Sequence, residues 1–297
     1  MAACGWPRVD AALALAGGIV FGLAIGNPLP ALSGVWAKRL LQASVVGLGF
    51  GVGIGQVLRE GRHSIGYTIV SISLTLLAGA ALGKWMGVRR DTSRLLSFGT
   101  AICGGSAIAA LAPVIKAKSE DVAVSLATVF LLNATALLIF PAIGRALAMS
   151  PGSFGLWSAL AIHDTSSVVG AASTFGPAAL ATATTVKLTR ALWITPFVLG
   201  YALFTRSAQR AVFPYFILGF IGAAVIRSVW PEQAVAWDAA AFVARRLLVV
   251  TLFLIGAGVT RQTIKTVGFR PMLQGVTLWV LVSVVTLAVI RGHIIGD

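Results

Sequence analysis

The residues able to do chemistry fall in four short stretches. Of nine acidic residues, Asp10, Glu60, Asp91, Glu120, Asp121, Glu232, Asp238 and Asp297 lie in polar breaks or at the ends, and only Asp164 sits deep in an apolar run. It stands in Ala161-Ile-His-Asp-Thr-Ser-Ser-Val-Val-Gly170, flanked by the imidazole of His163 and the hydroxyls of Thr165, Ser166 and Ser167. A carboxylate at membrane depth must be protonated, paired or bound to a cation, since an unpaired charge there costs several kcal/mol. The chemistry this implies is transfer of a coupled proton or ion, with His163 as the side chain that titrates nearest neutral pH.

Two cations are similarly placed. Lys187 and Arg190 lie three residues apart inside one apolar run, and so on one helix face. Snorkelling to the headgroups would need both to reach along most of half a bilayer. The alternative is that one pairs with Asp164 and the other leaves net positive charge in a cavity, which suits an anion. The third stretch is Gly99-Thr-Ala-Ile-Cys-Gly-Gly-Ser-Ala-Ile-Ala-Ala110, closed by Pro113, with Thr100, Cys103, Gly104, Gly105 and Ser106 as candidate binding residues. Paired glycines break a helix, and a freed helix N-terminus offers N–H groups and a positive dipole to an anion. The competing use of the same small residues is close helix packing. Asn133, inside a fourth run, is a further candidate for the coupling site, or simply bonds a neighbouring helix.

Metal and cofactor chemistry are not expected. Three His and two Cys, Cys4 and Cys103, show no ligand spacing. Adjacent residues on a helix point about 100° apart, so His163, Asp164 and a nearby Ser do not make a hydrolase triad. The expectation is a transporter and not an enzyme.

These residues need elements that hold them in a membrane. The chain has 297 residues, 58% hydrophobic and 11% charged, with mean hydropathy +0.92. Ordinary soluble domains are roughly 45–50% apolar and about 25% charged. A soluble enzyme, a disordered chain and a disulfide scaffold are all excluded. The net charge of +14 would point to nucleic acid in a soluble protein. Here the basic residues sit mainly in short breaks between apolar runs, so the partner is the anionic face of a bilayer and no nucleic acid is expected.

A span takes about 20 apolar residues. The apolar runs are Asp10–Gly26, Leu40–Leu58, Ser64–Trp85, Arg94–Ile115, Val122–Leu147, Phe154–Phe175, Ala178–Phe204, Phe213–Trp230, Phe242–Thr260 and Met272–Ile290. The breaks hold Lys38-Arg39, Arg59/Arg62, Lys84/Arg89/Arg90/Arg94, Lys116/Lys118, Arg206/Arg210, Arg245/Arg246 and Arg261/Lys265/Arg270, read as headgroup-facing charges. Asn27-Pro28-Leu29-Pro30 after the first run is no small-residue cleavage site, so that run is kept as a span. The expected architecture is an all-α, multi-pass membrane protein of about ten transmembrane segments. It forms one transporter domain over 1–297, with a core at 94–205 and flanking spans at 10–85 and 213–290.

An internal repeat is visible. Sliding Arg39–Gly61 onto Arg246–Gly268, an offset of 246 − 39 = 207, matches Arg39/Arg246, Leu40/Leu247, Leu41/Leu248, Gly49/Gly256, Gly51/Gly258, Val52/Val259 and Gly61/Gly268. A fainter echo sets Leu126-Ala127-Thr128 before Pro141 against Leu180-Ala181-Thr182 before Pro196, and Ser106-Ala-Ile-Ala-Ala against the stretch from Ser167 to Ala172. Inverted repeats meeting at a midplane site mark many secondary transporters. Parity leaves two topologies open: ten full spans, or eight full spans with Arg94–Ile115 and Phe154–Phe175 dipping in and returning. In either, a slight basic excess puts the N-terminus outside.

The glycine run from Gly99, Ile162-His-Asp-Thr-Ser-Ser-Val-Val-Gly-Ala-Ala and Lys187-Leu-Thr-Arg190 before Pro196 resemble the YeiH family of bacterial inner-membrane proteins, described as sulfate exporters. The resemblance covers essentially the whole chain. It implies a secondary transporter related to the cation:proton antiporter and bile-acid symporter superfamily, with inverted repeats and unwound helices crossing at the midplane. The function expected is therefore export of a small inorganic anion, sulfate or a related sulfur oxyanion, coupled to a proton or sodium gradient across the bacterial inner membrane. In it Asp164, His163 and Asn133 serve the coupling ion, and the arrangement leaves room for a homo-oligomer. A cation:proton antiporter of the same fold is the alternative, and an intramembrane hydrolase a remote one.

Overall fold

A computed structural model describes residues 11–205, 215–258, 260–261, 268–292 and 294–295. The segment starts Asp10 and Phe213, and the basic residues Arg206, Arg210 and Lys265, lie outside the described residues. The described elements are all helical: α1 Ala11–Ala24, α2 Pro30–Gly49, α3 Ile54–Trp85, α4 Arg90–Ala101, α5 Gly105–Leu111, α6 Ser119–Ala146, α7 Pro151–Ala161, α8 Thr165–Phe175, α9 Pro177–Leu192, α10 Ile194–Thr205, α11 Phe216–Val229, α12 Ala234–Ala257 and α13 Phe269–Arg291. Four helical stretches among these residues are long and apolar enough to cross a membrane: Ile65–Trp85, Ser119–Ala146, Pro231–Ala257 and Phe269–Arg291. Their outward faces carry bare apolar side chains such as Leu77, Phe242 and Val284, as lipid contact requires.

Proline and polar caps set several helix starts. Pro30, Pro151 and Pro177 stand at the beginnings of α2, α7 and α9, where a missing N–H costs nothing. Ser150 accepts from the N–H of Ser153 at the start of α7.

Several expected boundaries move. The pairs Lys38-Arg39, Arg59/Arg62 and Arg245/Arg246 lie inside α2, α3 and α12, not in breaks. Lys and Arg are good helix formers whose long stems carry the charge outward, so a basic pair does not end a helix. The ending falls at the glycine cluster Gly49-Phe50-Gly51-Val52-Gly53, which separates α2 from α3 and splits the expected run Leu40–Leu58. The run Ala178–Phe204 is likewise two helices, meeting at Trp193.

The helices pack as two groups. One is a panel of α1, α2, α11 and α12; the other gathers α4–α9 with α3 and α13 against them. Small residues allow the closest approaches: a Cβ on Gly155 of α7 would lie 2.7 Å from the carbonyl oxygen of Ala179 in α9.

Two short-helix pairs turn back on themselves. In α4–α5 a Cβ on Gly99 would lie 3.0 Å from the Ile108 side chain, although nine residues of straight helix would separate them by about 13 Å. The start of α4 lies beside the start of α6: Thr92 donates to Asp121 at 2.6 Å and Ser125 to the carbonyl of Thr92 at 3.3 Å. The α7–α8 pair lies at the other end of α6. Phe154 of α7 and Phe175 of α8 stack at 3.9 Å, and Arg145 of α6 donates to the carbonyl of Thr174. Two hairpins therefore approach the middle of α6 from opposite ends, so the stretches 94–115 and 154–175 each fold back on themselves.

Candidate functional site at two hairpin tips

The tips meet beside the middle of α6. The first tip is Ile102-Cys103-Gly104, and the second is Ile162-His163-Asp164. Gly104 has φ +63° and ψ −125°, a conformation that side chains resist. A Cβ added there would meet the Cβ of Asp164 and Cγ1 of Val129, each at 3.3 Å. Glycine at 104 is thus required twice, by its backbone angle and by the other tip.

Breaking helices leaves unpaired N–H and C=O groups where no lipid can satisfy them. Side chains from α6 and α9 do so. Asn133 Oδ1 accepts from the backbone N–H groups of His163 and Asp164, both at 3.2 Å. Asp164 caps α8, accepting from the N–H of Ser166 at 3.0 Å and from the Ser166 hydroxyl. Lys187 donates to the carbonyls of Ile162 at 2.7 Å and Ala159 at 3.2 Å, at the C-terminal end of α7. Arg190 spans both hairpins: Nε donates to the carbonyl of Ala101 and Nη1 to that of Leu160, each at 2.7 Å. Cations at helix C-termini also meet the negative ends of the dipoles. Both are fully buried. The expected ion pair with Asp164 is not formed; carbonyls take its place, because the broken ends supply acceptors nearer than the carboxylate.

At the offset of 180 − 126 = 54 that aligns the two Leu-Ala-Thr stretches, Asn133 aligns with Lys187. One residue holds the donor end of the second tip and the other its acceptor end.

A cavity of about 540 Å³ reaches this crossing from one side. Its core wall carries Gly105, Ser106, Asn133, Asp164, Ser166 and Ser167; its panel wall is formed by α2 and the end of α12. Asn133 Nδ2 is buried without a partner. The remaining predicted residues stand behind this wall. Thr100, Cys103, Gly104, Thr165 and His163 are buried within the tips, and Lys187 and Arg190 hold them from α9. Neither nitrogen of the His163 ring has a hydrogen-bond partner, and the ring does not line the cavity. Among the described residues no cluster of His, Cys, Asp or Glu could hold a metal.

Sequence reasoning missed Lys38, which lines the cavity from α2. The available signal was the spacing Pro30, Ser33, Gly34, Ala37, Lys38, Leu41, a small-residue helix face carrying a lysine, obscured by reading Lys38-Arg39 as a break.

Comparison with known proteins gives the chain its relatives. A UPF0324 membrane protein of Geobacter sulfurreducens is 55% identical over 291 residues, covering 98% of this chain and 94% of that one. One of Bdellovibrio bacteriovorus is 51% identical over 97% of this chain and 90% of its own, and one of Vibrio parahaemolyticus 46% identical over 96% and 94%. No solved structure matches. The family described as conserved hypothetical protein 698 matches residues 7–275, and with these relatives it shows that the chain belongs to the UPF0324 family of membrane proteins.

Proposed function

We propose that the protein is a secondary active transporter of a small inorganic anion, sulfate or a related sulfur oxyanion, whose export is coupled to a proton or sodium gradient. The observation that carries this reading is the cavity ending on two crossed hairpin tips. There the hydroxyls of Ser106 and Ser167 and the unpartnered amide of Asn133 are hydrogen-bond donors for an anion, beside the Asp164 carboxylate that takes the coupling role. The sulfur oxyanion within this class comes from the likeness of the His163-Asp-Thr-Ser-Ser167 stretch to the YeiH family.

The hairpins favour the eight-span topology, with the two hairpins as counterparts in an inverted repeat. The repeat-related helices α2 and α12 end at Gly49 and Ala257, equivalent to within one residue at the offset of 207, and pack on each other. Lys84, Arg89, Arg90, Arg94, Lys116 and Lys118 flank the first hairpin's ends, on the side where the cavity opens. By the positive-inside rule that side is cytoplasmic, which suits loading of an exported substrate at the bacterial inner membrane.

One observation favours the second reading, a cation:proton antiporter: Lys187 and Arg190 do not line the cavity, so the ionisable core group facing it is the acid Asp164. Labelled sulfate flux into proteoliposomes, with and without a pH or sodium gradient, separates the two. Gradient-driven sulfate flux in wild type, with loss of its pH dependence in Asp164→Asn, is the expected result. Sodium–proton exchange that needs no anion would overturn the anion reading in favour of the antiporter.

A further inference from the structure

The substrate cavity has two walls, and its described lining residues include two ionisable side chains, one on each. Asp164 stands on the core wall and Lys38 on the panel wall. Resting on the anion reading above, we infer that Lys38 is the cation that recognises the anion's charge, and that a bound anion bridges the panel to the hairpin tips.

The residues around Lys38 are those of a binding face. Pro30, Ser33, Gly34, Ala37, Lys38 and Leu41 recur at three- and four-residue spacing, so one stripe of α2 faces the cavity. A Cβ built on Gly34 would meet nothing within 4 Å, so space in front of the stripe is open. Lys38 is exposed and has no salt-bridge partner among the described residues, whereas its neighbour Arg39 lies off the lining. Opposite stands the buried, unpartnered Asn133 Nδ2, the uncharged donor that would complete an oxyanion's contacts. Lys187 and Arg190 supply positive potential from behind the tips: the Lys187 ammonium and Nε and Nη1 of Arg190 reach carbonyls, Arg190 Nη2 is buried without a partner, and neither side chain lines the cavity. The exposed ammonium of Lys38 on α2 is therefore the charged donor on the cavity lining. Because it belongs to a different helix group from the acid, substrate contact with both ties occupancy to their relative position.

The test is labelled sulfate flux into proteoliposomes, with equilibrium binding of labelled sulfate to purified protein, for wild type, Lys38→Gln, Lys38→Arg and Arg39→Gln. Losing one charge-assisted contact raises KM and Kd in Lys38→Gln by about 10- to 100-fold, while Lys38→Arg stays within several-fold of wild type and Arg39→Gln is unchanged. If Lys38→Gln lacks flux but binds sulfate as wild type does, or keeps wild-type KM, the inference is overturned while the transporter reading stands. If Lys38→Gln and Arg39→Gln weaken binding equally, the effect is long-range charge and not contact, which also overturns it. Wild type that neither binds nor moves sulfate overturns the sulfate reading itself, and the role of Lys38 falls with it.

Discussion

Replacing Asn133 tests whether the second hairpin tip is held from α6. Its side-chain oxygen satisfies two backbone donors, of His163 and Asp164, at 3.2 Å each, and the residue is 3% exposed. Asn133→Leu keeps the volume and removes the acceptor. Each buried N–H left unmade costs about 1–3 kcal/mol, so the pair predicts a loss of about 2–6 kcal/mol. At about 2 °C per kcal/mol for a chain of this size, Tm falls by about 4–12 °C. Asn133→Ala is predicted to cost less, about 1–2 kcal/mol, although it removes more atoms. The cavity already reaches this side chain, so truncation lets a water take the place of the oxygen. The assay is thermal unfolding of purified protein in one detergent, comparing both variants with wild type. If both variants keep wild-type Tm within 1 °C, or the alanine is the worse of the two, the account of the tip is refuted.

Two further substitutions probe the crossing. Gly104→Ala forces a side chain to φ +63° and against Asp164 at 3.3 Å, at a strain of about 1–3 kcal/mol; sulfate flux is expected to fall more steeply than expression, and unchanged flux would show that the tips need not touch. Arg190→Lys cannot reach both Ala101 and Leu160, so it loses one charge-assisted bond and about 1.5–3 kcal/mol, read as a lower Tm; wild-type Tm would mean that one hairpin is held without it.

The hydropathy of the chain settled its class, because a 58% apolar sequence with charges in short clusters can only be buried in lipid. The same rule singled out Asp164, Lys187 and Arg190, since ionisable groups in apolar runs must meet partners, and the structure gathers all three at the tips. The paired glycines at 104 and 105 likewise announced a broken helix. Partner choice was not legible. Charge complementarity alone pairs one of Lys187 and Arg190 with Asp164, but the hairpin turns bring free carbonyls of α4, α7 and the second tip to 2.7 Å from the two cations, and those carbonyls are free only once the helices are broken. The choice between crossing and returning segments was open for a similar reason. Hydropathy measures length along the chain, whereas the contact of Gly99 with Ile108 and the stack of Phe154 on Phe175 record direction in space. Lys38 shows the same limit from the other side: a lysine next to an arginine reads as a break until α2 is seen to run unbroken through both, with one of them turned toward a cavity whose opposite wall lies more than sixty residues away in sequence.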